Sequence, residues 1–242
     1  MTDPQQPTSR RPSFAETYAQ VQAGLGKLPD EPNAQAETNE PQRNTRPVFA
    51  LVVVDAQNDF AEGGALGVDG AIQAFRNTYR HVAGSAGKYS VIVTTRDAHI
   101  DPGEHWSENP DFVNSWPRHC AESEAGSEIH AEMHRALDYF AVINPQAVRI
   151  DVAKGAYEAA YSGFEGVTEA QVPLAEALRS TEVQNLDVVG VATDHCVRAT
   201  VLDALKEGFT VRVFTDQIAA VSAESGDAAL AEMEAAGAEI IR

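Results

Sequence analysis

Six short runs of consecutive apolar, largely β-branched residues punctuate the chain, over 48–54, 89–94, 147–152, 186–191, 210–214 and 238–241. Runs that do not alternate with polar residues predict strands covered on both faces. Between most of them apolar positions recur every three or four residues, over 72–83, 172–180, 197–207 and 223–236. That spacing predicts helices packed by one face. The alternation of the two predicts an α/β domain, a parallel sheet with helices on both sides and right-handed crossovers. Residues 100–146 break the rhythm, being dense in Asp, Glu, Pro and His. A long irregular insertion is expected there, at the carboxyl edge of the sheet where sites are usually built. Residues 1–46 are rich in Pro, Gln, Asn, Thr, Ala and Glu and poor in large aliphatics. Such a segment cannot offset its ordering entropy by burial, so a flexible extension is expected ahead of a domain over 47–242. Phe14, Tyr18, Val21 and Leu25 nonetheless have the spacing of a short docking helix.

Composition narrows the function more than the fold. The 242 residues suit one large domain with an extension. Acidic residues outnumber basic ones 36 to 18, for a net charge of −18. No basic stripe is available to neutralise phosphates, which argues against nucleic acid and against an anionic membrane surface. No apolar run approaches the length of a bilayer span, and the N-terminus lacks the apolar core of a signal peptide. A cytoplasmic protein is expected. Two cysteines, Cys120 and Cys196, make no disulfide framework and point to a reducing compartment. Acidic α/β domains exist as monomers and as homo-oligomers, and both states stay open.

Cys196 stands at the most informative position. It follows the run ending at Val191, and Val197, Val201 and Leu205 after it have helical spacing. The thiol is therefore expected at a strand-to-helix turn, with Thr193 or Asp194 capping the helix. A helix N-terminus favours thiolate over thiol and offers backbone donors to an oxyanion. Asp55 ends the first apolar run, where a general base and a plain turn aspartate are equally open. Lys154 follows the third run. It suits a cation that pairs with Asp55 and lowers the thiol pKa, although alone it reads more simply as a solvated strand-exit lysine.

Asp97, His99 and His105 lie just beyond the second run, with Pro102-Gly103 placed to turn the chain back and His119 as the best fourth candidate. Carboxylate and imidazole together suit Zn²⁺, Mn²⁺ or Fe²⁺, and the alternative is an acidic loop with scattered histidines. His130 and His134, in charged surroundings, read as surface residues. Cys120 reads as packing or loop structure. His195 precedes the thiol, yet neighbours at a helix start point in different directions, so it is not expected to be the base. Phe60, Trp116 and Tyr161 come from three separated loops and suit the walls of a planar ligand, or ordinary core packing.

Taken together, VVDAQNDF at 53–60, TRDAHIDPGEHWS at 95–107, WPRHC at 116–120, KGAYEAAYSGFEG at 154–166 and VVGVATDHCVRAT at 188–200 resemble the nicotinamidase branch of the isochorismatase-like cysteine hydrolases. The resemblance runs from about Val48 to Arg242. It implies a three-layer α/β/α, Rossmann-like domain around a six-stranded parallel sheet. It implies hydrolysis of nicotinamide to nicotinate and ammonia in NAD salvage, with pyrazinamide also accepted. By motif position Asp55, Lys154 and Cys196 match the family's triad, and Asp97, His99, His105 and His119 match the ligands of its one divalent metal ion. Phe60, Trp116, Tyr161 and Val191 match residues around the pyridine ring. Val191-Ala192 matches a cis peptide, with the amides of Ala192 and Cys196 forming the oxyanion hole. The chain departs from the pattern in its long extension and at Ala98, where some relatives carry an aromatic. Another small-amide hydrolase, a vinyl-ether hydrolase on the same scaffold and a catalytically silent binding module are the competing readings.

Overall fold

In chain order the computed structural model contains β1 (Phe49–Val54), α1 (Ala71–Ser85), β2 (Tyr89–Asp97), α2 (Ala131–Ile143), β3 (Val148–Lys154), β4 (Val167–Thr168), α3 (Leu174–Ser180), β5 (Asn185–Val191), α4 (Arg198–Lys206), β6 (Thr210–Ala219), α5 (Ala223–Ala236) and β7 (Glu239–Ile241). The structure describes residues 48–242; the expected extension over 1–46, with its candidate helix, lies outside the described residues. Among the described residues no helix is long and apolar enough to cross a membrane.

The strands form one seven-stranded sheet in the order β4-β3-β2-β1-β5-β6-β7. Every neighbouring pair is parallel except β3 and β4. The parallel part is the sheet the apolar runs predict, and the two-residue β4 adds an antiparallel edge too short to show in them. Each strand points alternate side chains to opposite layers. On β1, Ala50, Val52 and Val54 pack with α3, α4 and α5 through Leu174, Leu178, Val201 and Met233. Leu51 and Val53 pack with α1 and α2 through Phe75, Val82, Met133 and Phe140. Both faces of β1 are thus dry, which is why its sequence shows no polar alternation.

The chain steps from β1 outward through β2 to β3, then crosses to the other side of β1 and runs outward again through β5, β6 and β7. The order reverses between β1 and β5, where an open α/β sheet leaves a crevice at the carboxyl ends of its strands. Asp55 leaves β1 and Ala192 leaves β5 at that crevice.

Two parts of the sequence reading change. Helix α2 lies inside the stretch expected to be irregular; its buried Met133, Ala136, Leu137 and Phe140 have helical spacing that the surrounding charge obscured. Strands β2 and β3 also run further than their apolar runs, because Asp97 and Lys154 remain paired in the ladder. Both residues therefore sit on the sheet itself rather than in the loops beyond it.

At Gly190 the backbone adopts φ +118°, and a β-carbon would lie 2.0 Å from the carbonyl oxygen of Val54. Only glycine permits this approach of β5 to the end of β1. Gly190→Ala is expected to lose at least ~3 kcal/mol through backbone strain and overpacking. Urea unfolding measures it, and an unchanged midpoint would refute the close approach.

Candidate active site

Three neighbouring strands deliver three charged groups to one point. Asp55 leaves β1 in a left-handed conformation, with φ +45°. Its amide donates to the carbonyl of Thr95 at 3.2 Å, and the Thr95 hydroxyl donates to its Oδ1 at 2.6 Å. Asp97 ends β2 and Lys154 ends β3, side by side in the ladder. The Lys154 ammonium donates to Asp97 Oδ1, lies 3.0 Å from Asp55 Oδ2 and donates to the carbonyl of Ala160 at 3.0 Å. The Cys196 sulfur lies 3.7 Å from the same ammonium.

Cys196 reaches this point through the cis peptide that the resemblance implied at Val191-Ala192, followed by a π-helical turn over Thr193–Val197 that the sequence reading did not foresee, before α4 begins. The carbonyl of Ala192 accepts from the amides of both His195 and Val197. Neither Thr193 nor Asp194 caps the helix. The Asp194 carboxylate instead accepts from the amides of Val221 and Ser222 and from the Ser225 hydroxyl, tying the turn to the start of α5. That start has free amides of its own, and they compete successfully for the carboxylate.

Burial dominates the electrostatics. Asp55 and Lys154 are almost wholly inaccessible, and Cys196 is buried at the floor of a cleft. Burial raises the Asp55 carboxyl above its usual range by more than the neighbouring ammonium lowers it. It also pushes the Cys196 thiol well above its ordinary value, against the pull of Lys154. Burial opposes the charge on Lys154 as well, but Asp55 and Asp97 outweigh it and hold the ammonium on. Asp97 stays far below the usual carboxylate range because Lys154 and His99 overcome its burial. Burial thus works against the thiolate that a helix N-terminus would favour.

The loop after β2 folds back on itself. His99 donates its amide to the carbonyl of Cys120 at 3.0 Å, and Trp106 pairs with Trp116. Pro102-Gly103 turns the chain, so that His105 comes round beside His99. His99, His105 and His119 present one donor atom each within 4.8 Å of one another. The other ring nitrogens of His99 and His119 are already held by the carbonyls of Gly155 and Pro117. Among the described residues, His99 Nε2 and His105 Nδ1 are buried with no hydrogen-bond partner. Burial, with His119 and His99 close by, pushes His105 down to about 4, so it is neutral and ready to donate a lone pair at pH 7. Asp97 Oδ2 faces the same space, 3.6 Å from His99 Nε2 and 4.0 Å from His119 Nε2. Three imidazoles, a carboxylate and orphaned buried nitrogens fit a divalent metal ion of the zinc or iron type.

A cleft of about 430 Å³ opens over the cysteine and the histidines. Phe60, Trp116 and Tyr161 line it, with Ala192 at its edge. Val191 lies fully buried beneath, in the core with Phe60. Trp116 Nε1 donates to the Tyr161 hydroxyl at 3.1 Å. Leu66, Val68 and Val221, which were not singled out from the sequence, also line the cleft, together with His195. His195 packs edge-on to Trp116 at 5.1 Å and stacks near Tyr161, as a wall rather than a partner of the thiol. His130, read as a surface residue, is half-buried and accepts from the amide of Glu132 at the start of α2. Cys120 is fully buried beneath the loop.

Comparisons with known proteins point one way. A model of the isochorismatase domain matches residues 49–242. The nicotinamidase/pyrazinamidase of Mycobacterium tuberculosis is 44% identical over 192 residues, 79% of this chain and 97% of that protein. The crystal structure of a pyrazinamidase of Pyrococcus horikoshii in complex with zinc superposes with a TM-score of 0.65 at 37% identity, covering 81% of this chain and 99% of that one. A protein of L. infantum solved in complex with nicotinate gives 0.63 at 30% identity, covering 82% and 94%.

The two thiols differ in access, and this gives a direct check. A small neutral alkylating agent is expected to modify Cys196 slowly in the native protein and to leave Cys120 untouched until denaturant is added, as read by peptide mass mapping. Labelling of native Cys120 at a comparable rate would contradict the buried loop.

Proposed function

The chain belongs to the isochorismatase domain family, and on that footing we propose that it is a cysteine amidohydrolase converting nicotinamide to nicotinate and ammonia, and accepting pyrazinamide by the same route. The observation that carries this reading is one buried cluster, Asp55, Lys154 and Cys196, at the floor of an aromatic-walled cleft beside three converging histidines.

In the proposed cycle Asp55 takes the proton of the Cys196 thiol. Burial makes its carboxylate a stronger base than one in water, which suits it to the task. The Lys154 ammonium, 3.7 Å from the sulfur, balances the thiolate as it forms. The thiolate adds to the carboxamide carbon, and the backbone amides of Ala192 and Cys196 donate to the oxyanion. Asp55 returns its proton to the leaving nitrogen, the C–N bond breaks and ammonia departs, leaving a thioester on Cys196. Asp55 then deprotonates a water that attacks the thioester, releasing nicotinate and restoring the thiol. Phe60, Trp116 and Tyr161 hold the ring flat, and Val191 packs in the core with Phe60. Asp97, His99, His105 and His119 would hold the metal, which when bound supplies a Lewis acid to orient and polarise the ring. Both cysteines are free and buried, in keeping with a cytoplasmic setting.

Ammonia release from nicotinamide, before and after chelation, tests the reading. Release is expected from metal-loaded protein and should fall on chelation; none from loaded wild type would sink the proposed substrate. Cys196→Ala should lower kcat by ~10⁴-fold or more while ring binding persists. Substantial residual turnover would rule out covalent catalysis. His99→Ala should weaken metal retention and raise KM by on the order of 10–100-fold. Full metal content after dialysis, with a normal KM, would remove His99 from the ligand set.

A further inference from the structure

Gln57 lies two residues beyond Asp55, and no step of the proposed cycle uses it. Its side chain is fully buried. Nε2 donates to the carbonyls of Asp97 and Ser127, each at 2.8 Å, and Oε1 accepts from the amide of Asp97 at 2.8 Å. The side chain thus grips both the N–H and the C=O of one residue, as a neighbouring strand would.

A neighbouring strand is what is missing there. The β1–β2 register runs to Val53 and Thr94, and the Asp55 amide makes the last main-chain contact, to Thr95. Beyond it β1 turns away, while β2 continues to Asp97. On its far edge Asp97 remains paired with Lys154. The Gln57 amide closes the near edge, so Asp97 is held from both sides by peptide-like groups.

The orientation of Asp97 matters because its carboxylate faces two ways. Oδ1 accepts from the Lys154 ammonium, and Oδ2 faces His99 and His119. A small rotation of the backbone would sacrifice one contact to keep the other. We infer that Gln57 is a positioning residue acting through Asp97, fixing it so that one carboxylate serves both the metal-binding histidines and the lysine beside the thiol. Metal occupancy and the state of Cys196 are coupled through this clamp. The metal and the thiol belong to the function proposed above; the clamp is a further property of the same site.

The geometry calls for glutamine. Glutamate has no donor for the two carbonyls and would bury a charge, and asparagine is one methylene short. Methionine matches the volume but leaves the Asp97 amide and both carbonyls unpaired.

The test uses Gln57→Met in the full chain, with Leu178→Ala, on the buried face of α3, as a control for general loss of stability. Zn²⁺ is titrated into chelator-stripped protein by calorimetry, below the melting transition of each variant. Gln57→Met is expected to weaken Zn²⁺ binding ~10–100-fold, the range for groups that orient metal ligands. Leu178→Ala should leave it unchanged. Cys196 alkylation by iodoacetamide is then followed with and without saturating Zn²⁺. Its rate should respond to Zn²⁺ in wild type and lose that response in Gln57→Met. If Gln57→Met does not fold, Gln57→Asn takes its place, with the same expectations. Wild-type Zn²⁺ affinity in a folded Gln57 variant overturns the inference. So does an unaltered alkylation response, or an equal loss of affinity in Leu178→Ala. None of these readouts uses nicotinamide, so they decide the role of Gln57 even if ammonia release disproves the substrate.

Discussion

A lysine ammonium with its side chain out of water is tolerable only with opposite charge against it. Lys154 is such a group, and Asp55 and Asp97 are its counter-charges. The rest of the site follows from arranging the three. They stand on adjacent strands, so the sheet itself sets their spacing. Two carboxylates beside one ammonium are one negative charge too many for a dry cluster. The excess is relieved unequally: Asp97 stays ionised under the pull of Lys154 and His99, while burial makes Asp55 the group that readily takes a proton. The arrangement thus sorts two chemically identical side chains into a fixed counter-ion and a proton carrier.

Asp97 also links two sites that could otherwise be described apart. One edge of its carboxylate belongs to the lysine and the thiol, the other to the histidines. The histidines owe their convergence to the folded-back loop after β2, and two of the three are oriented by main-chain carbonyls, His99 by that of Gly155 and His119 by that of Pro117. Orienting groups of this kind fix which ring nitrogen is free and hold the ring still.

The parallel sheet was legible from the apolar runs because strands buried on both faces leave no other pattern. The assignments of Asp55 and Cys196 to strand ends were legible for the same reason, since each follows such a run directly. Asp97 and Lys154 were placed just beyond their strands, because polarity marks a strand's apolar stretch and not its last ladder pair. Helix α2 was hidden by charge on its exposed face, although Met133, Ala136, Leu137 and Phe140 carried its signature. The π-helical turn left no mark in sequence: it depends on the approach of β5 to β1 and on where Asp194 finds its donors. Gln57 was invisible for a related reason, as a buried amide is informative only once the main chain it replaces can be seen.

The anchoring of Asp194 to the start of α5 has a consequence in time. The turn that presents Cys196 is held by residues 221, 222 and 225, which follow it in the chain. During synthesis the thiol is made well before the segment that fastens its turn, and that segment must clear the ribosome before the tether can close. The nucleophile therefore acquires its final setting only once residues 221–225 have joined the fold, and a chain cut short of them carries the cysteine without its tether.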